Sequence, residues 1–79
     1  MSDRESIVGE MYWISGDSQY SMPGGRVPAS EFGTEASAWL SEMLAQCATD
    51  DERVDTLRGR FVLIGDEGAV IDYEEAGDI

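Results

Sequence analysis

Residues 34–47 read Thr-Glu-Ala-Ser-Ala-Trp-Leu-Ser-Glu-Met-Leu-Ala-Gln-Cys, and the spacing of their apolar members decides the fold. Ala36, Leu40, Met43, Leu44 and Cys47 fall at i, i+4, i+7, i+8 and i+11, which is one face of an α-helix, with Trp39 at its margin. Thr34 is placed to cap the start, Glu35 sits in the first turn near the positive dipole end, and Phe32 just upstream can fold over that turn. A second start signal follows at once. Thr49-Asp50-Asp51-Glu52 has the spacing of a capping box, and Gly59 is placed to end a short helix carrying Val54 and Leu57. Two helices meeting near Ala48 are therefore expected.

On either side of this helical centre the apolar period changes. Ile7, Val8, Met11, Tyr12, Trp13 and Ile14 form a β-prone segment over 7–14, stopped by the turn composition Ser15-Gly16-Asp17-Ser18. Gln19 to Met22 can return as a short second strand. Pro23, Gly24 and Gly25 should stop it, leaving Arg26-Val27-Pro28 at most an edge fragment, because proline cannot donate to a ladder. Beyond the helices, Phe61-Val62-Leu63-Ile64 is apolar on both alternations and reads as a central strand. Gly65-Asp66-Glu67-Gly68 is a hairpin connection from it into Ala69–Tyr73.

The resulting β-β-α-α-β-β order predicts an α+β fold: an antiparallel sheet of three to four strands packed on one main helix plus a short second helix. The 79 residues make a single domain, with residues 1–6 and 76–79 expected to fray. One helical layer covers one sheet face, yet Tyr12, Ile14, Val62 and Ile64 alternate opposite to Met11, Trp13, Phe61 and Leu63, so both faces are apolar. Either the Pro/Gly loop or the short helix covers the second face, or that face is an interface with a second copy or another protein.

Composition narrows the chemistry. Seventeen acidic residues stand against five basic ones, all arginine, for a formal charge of -12, and there is no lysine or histidine. These absences remove Ser-His-Asp and Cys-His nucleophile systems, Schiff-base lysines and the phosphate-binding P-loop lysine. Cys47 is alone, so the chain has neither an internal disulfide nor a zinc-ligand set, and it reads as a small buried apolar residue. Starting at Asp66, the positions that should present calcium ligands hold Gly68 and Val70, which fails as an EF-hand. The acids at 50–52 are explained by a helix N-terminus. Carboxylate pairs alone could serve acid/base catalysis, but seventeen acids contain such pairs by accident, and a domain this small is not expected to offer a pocket of ~300 to 1,000 Å3. No catalytic residues, metal or cofactor are assigned. No segment approaches the ~20 apolar residues of a membrane span and no signal peptide is apparent, which fits a soluble, intracellular protein.

What remains is the charge itself. A self-repelling charge of this size disfavours direct nucleic-acid binding and favours a cationic partner. The candidate contact residues are Glu31, Glu35 and Glu42 along the main helix, Asp50, Asp51 and Asp55 on the short one, and Asp66, Glu67, Asp72, Glu74 and Glu75 towards the C-terminus. A compact body of this length is about 30 Å across, and duplex DNA of that length carries roughly 18 phosphate charges, so twelve net negatives approach the same density. Electrostatic mimicry of nucleic acid, blocking a basic nucleic-acid-binding protein, is the function expected on that ground.

In its size, its acidic and lysine-free composition and its α+β architecture, the chain resembles the small inhibitors that bacteriophages make against bacterial defence, namely anti-CRISPR proteins and DNA-mimic anti-restriction proteins. The resemblance spans the whole chain and carries no aligned motif, so it assigns no individual residue. It implies a non-enzymatic inhibitor in the cytoplasm of an infected bacterial cell, binding Cas subunits of a type I surveillance complex where target DNA would enter. The alternative is a homodimeric interaction or regulatory module working through its apolar sheet face.

Overall fold

A computed structural model describes residues 7–79, and its element order is the expected one. Strands β1 (Val8–Ile14) and β2 (Ser21–Pro28) are followed by helices α1 (Phe32–Ala45) and α2 (Asp50–Leu57), then strands β3 (Arg60–Ile64) and β4 (Val70–Glu75). The four strands form one antiparallel sheet in the order β2-β1-β3-β4, so the two most apolar strands take the centre. Among the described residues no helix is long and apolar enough to cross a membrane.

Alternation along the central strands separates two faces. Met11 and Trp13 of β1 and Phe61 and Leu63 of β3 point to one side, where Phe32, Ala36 and Leu40 of α1 pack on them with Val27, Ala29 and Ala76. Trp39, Met43, Leu44 and Ile71 close the margin of this core. Phe32, Phe61 and Leu63 are its largest fully buried side chains. Trp13 is held so tightly against Gly59 that its indole Nε1 lies buried without a hydrogen-bond partner, and a Cβ at position 59 would approach it to 2.8 Å. Gly59 is therefore required for close packing at the start of β3. It also ends α2 as expected: it follows the C-cap Arg58, and its N–H donates to the Thr56 carbonyl at 3.1 Å without a left-handed backbone.

Two expectations change, at β2 and at the start of α1. β2 is one eight-residue strand in place of a short strand and a fragment: it runs through Pro23, Gly24 and Gly25 because a register shift opposite Met11/Tyr12, with Gly25 at φ 92°, absorbs the irregular residues. An edge strand tolerates this since only one of its sides must complete a ladder. Helix α1 starts two residues before Thr34. The chain enters it from Pro28 through a 3-10 turn, Ala29–Glu31, and Phe32 becomes its first residue and an anchor of the core, so no side chain caps its start. Ala76 is fully buried, its N–H donates to the Gly59 carbonyl at 2.9 Å, and Ala76–Asp78 forms a 3-10 turn. Residues 1–6 lie outside the described residues.

Helix α2 begins as the capping signal indicates, with the Thr49 hydroxyl accepting from the Glu52 N–H at 3.2 Å. The Glu52 carboxylate reaches back to the Ala48 N–H, one residue beyond its usual partner, at 3.5 Å. No α2 residue is buried, and Val54 and Leu57 stay exposed. Cys47 is half-buried in the connection to α1, its thiol 3.3 Å from the Met43 carbonyl and 3.6 Å from the Thr56 hydroxyl.

Truncation of Phe61 or Leu40 to alanine removes the contact between sheet and helix and is expected to cost ~2 to 5 kcal/mol, read as a lowered midpoint in a denaturant titration.

Candidate functional site

The fold sorts the charged residues by face. On the helix-bearing side, Glu31, Glu35 and Glu42 project from α1 and its entry turn, and Asp50, Asp51, Glu52 and Asp55 from α2, all exposed. Asp72 and Glu74 join them from the edge strand β4, because they stand opposite the core residues Leu63 and Phe61. Both are half-buried, and the Asp72 carboxylate accepts from the Tyr73 N–H at 2.8 Å. Asp66 and Glu67 lie in the β3–β4 hairpin at the end of the sheet. Glu75 does not belong with these residues: it pairs across from Arg60 and so faces the other side.

Among the described residues three arginines meet this charge. Arg53 reaches Asp50 at 2.7 Å, Arg26 reaches Asp66 at 3.2 Å and Arg58 approaches Asp55 at 3.9 Å, all between exposed groups. Exposed pairs of this kind contribute about 0 to 1 kcal/mol each and are screened by salt. Among the described residues no arginine lies within ion-pair distance of Glu35 or Glu42.

Among the described residues nothing covers the opposite sheet face. Val62 is only 6% exposed because it lies between the cross-strand neighbours Tyr12 and Tyr73, but Tyr73 is 57% and Val70 59% exposed, with Ile14 and Ile64 half-buried beside them. Neither the second helix nor the Pro/Gly segment covers it: α2 packs against α1 and the C-terminal turn, and the Pro/Gly segment is strand β2 itself. Among the described residues the strand charges on this face are Glu10, Arg26, Arg60 and Glu75, and Arg26 also reaches Asp66 of the adjoining hairpin, so the face is close to neutral on a chain of formal charge -12. The Tyr12 hydroxyl donates to Glu10 Oε1 at 3.0 Å, and this bond to the neighbouring carboxylate holds the phenol above its ordinary pKa.

Two open concavities reach the volume range of ligand pockets, contrary to what chain length suggests. One, of about 610 Å3, lies between the 15–20 turn and the end of α2, beside Trp13, Tyr20 and Arg58. Asp17 on its rim accepts from the Ser15 hydroxyl at 2.6 Å and the Gln19 N–H at 3.0 Å, which lowers its carboxyl below the usual range. The other, of about 440 Å3, is a groove between α1 and β2 lined by Trp39, Glu35, Glu42, Met22, Pro23 and Gly24, among others. The sequence pattern marks Trp39 only as marginal to the helix stripe. Its pairing with β2 depends on Gly24, where a Cβ would come within 2.5 Å of the indole ring. Among the described residues no acidic side chain is buried and no cluster suited to a metal ion occurs.

No protein-family profile, no curated protein and no solved structure matches this chain.

The Tyr12–Glu10 bond has a pH signature. Because the folded phenol pKa is raised above its unfolded value, the bond's contribution to stability is present below about 10 and is lost as pH rises through the folded value. Phenolate absorbance titration should show the Tyr12 ionisation above the ordinary phenol range, and Glu10→Gln should return it towards that range.

Proposed function

We propose that this protein is a non-catalytic inhibitor whose acidic helix-bearing side occupies the nucleic-acid-binding surface of a basic protein. The observation that carries this reading is the segregation of charge. On the helix-bearing side Glu31, Glu35, Glu42, Asp51 and Glu52 have no arginine within ion-pair distance among the described residues, Asp50, Asp55 and Asp66 meet exposed arginines, and the strands of the opposite face carry acids and arginines in near balance. A one-sided field orients an approaching cationic cleft as well as attracting it, and it raises association rates in a salt-dependent way. With the resemblance in size, charge and architecture to phage inhibitors of bacterial defence, the partner class is a DNA-binding defence complex. The Cas subunits of a type I surveillance complex are its most specific candidate.

A second reading is supported by the open sheet face. Tyr12, Ile14, Val62, Ile64, Val70 and Tyr73 form an apolar surface on the side of the sheet where acids and arginines are nearly balanced, which lowers the repulsion between two copies of so acidic a chain. On that reading the protein is a homodimeric module and its acids serve solubility. The two surfaces lie on opposite sides, so a dimer could also present two acidic sides outward.

The readings separate in one experiment. Charge reversal at Glu35, Glu42 and Glu67 should abolish salt-sensitive capture of a DNA-binding surveillance complex from a bacterial lysate, with the thermal midpoint little changed because exposed substitutions are usually within about 0.5 kcal/mol. Unchanged capture by the reversed variant would remove the acidic-side assignment. Sedimentation equilibrium of the wild type and Tyr73→Lys tests the module, which requires a dimer that the lysine disrupts.

A further inference from the structure

We propose that the groove between α1 and β2 is a receptor for a single arginine side chain of the protein partner. Glu35, Trp39 and Glu42 stand at i, i+4 and i+7 on α1, so the two carboxylates flank the indole along one helix edge, ~10 Å apart by the helical rise. The facing wall is β2, whose Met22, Pro23 and Gly24 present apolar surface at the level of the ring. Gly24 lets the indole lie against the strand, and the ring's contact with Phe61, at 5.4 Å between centroids, fixes it from below. The result is a concavity of about 440 Å3 with an aromatic and thioether lining and an anionic rim, and among the described residues no cation of the chain's own occupies that rim.

These features complement one ligand chemistry. An arginine carries an apolar stem that lies along methionine, proline and indole surface, and a planar guanidinium that stacks on an aromatic ring while its N–H groups reach carboxylates in a fork. A lysine ammonium matches the charge but not the plane or the fork. A neutral apolar side chain would leave both glutamates facing the occupant without compensation.

This inference rests on the reading of the acidic side as a docking surface for a basic protein, and its test is chosen to fail separately. The uniformly nitrogen-labelled full chain is titrated with the blocked tripeptide Gly-Arg-Gly, with its citrulline counterpart and with its lysine counterpart. The chain's two indole N–H signals, from Trp13 and Trp39, are followed by NMR together with the backbone amides. The arginine peptide should shift the Trp39 indole and the amides of Gly24, Glu35 and Glu42 saturably, while Trp13 and α2 stay unmoved. The citrulline peptide should have no effect. Binding should weaken by about tenfold in Trp39→Leu and in the doubly substituted Glu35→Gln, Glu42→Gln chain. The glutamine variant leaves the core untouched, so its loss of binding cannot be ascribed to misfolding.

Three results would overturn the proposal: shifts of equal size at the α2 and hairpin acids, equal binding of the lysine peptide, or retained binding in the glutamine variant. The first of these leaves the acidic docking surface standing. A local arginine response in a protein that captures no basic complex supports the groove and removes the wider docking role.

Discussion

Everything in this molecule follows from the seating of one helix on two central strands. Phe32, Ala36 and Leu40 meet Met11, Phe61 and Leu63, and the chain has no second apolar helix to put on the far side. So small a domain buries a limited share of its surface, about 60%, and here that share is spent almost entirely on one interface between layers. Among the described residues the other sheet face is left uncovered by arithmetic: α2 buries no residue and lies against α1 and the C-terminal turn.

The same constraint distributes the charge. Acidic residues cannot enter the layer interface, so they collect where the helices and the edge of β4 meet solvent, and the described arginines are either drawn to neighbouring aspartates or placed on the open face. Segregation thus needs no dedicated device. It arises because the residues that carry charge are those the core rejects, and because the helical layer supplies most of the exposed positions.

Element order, sheet direction and the main helix were legible because their apolar periods are long and unambiguous: i, i+4, i+7 over 36–47, and continuous β-prone runs at 7–14 and 61–64. The misreadings occurred where a local rule met a tertiary exception. Proline and two glycines read as a stop, but an edge strand with a register shift accommodates them. Thr34 reads as a cap, but burial of Phe32 draws the helix start upstream. Glu75 reads as one more acid of a C-terminal run, but β4 extends through it, so alternation sets it opposite to Glu74 and its pairing with Arg60 puts it on the open face. The Trp39 groove was not legible at all, since it joins residues 22–24 to 35–42 through a contact that no periodicity encodes.

The irregularity of β2 has a consequence beyond its own geometry. A free sheet edge is normally a template on which another chain can add a strand, and small one-sheet proteins expose two such edges. Here Pro23 and Pro28 delete donors from one border and the shift at Gly24–Gly25 bends its line, while Asp72, Glu74 and Glu75 place like charges along the other border. Ladder extension, the usual route from a marginal β protein to fibres, is thereby obstructed at both ends of the sheet, and encounters with other molecules are directed to its faces.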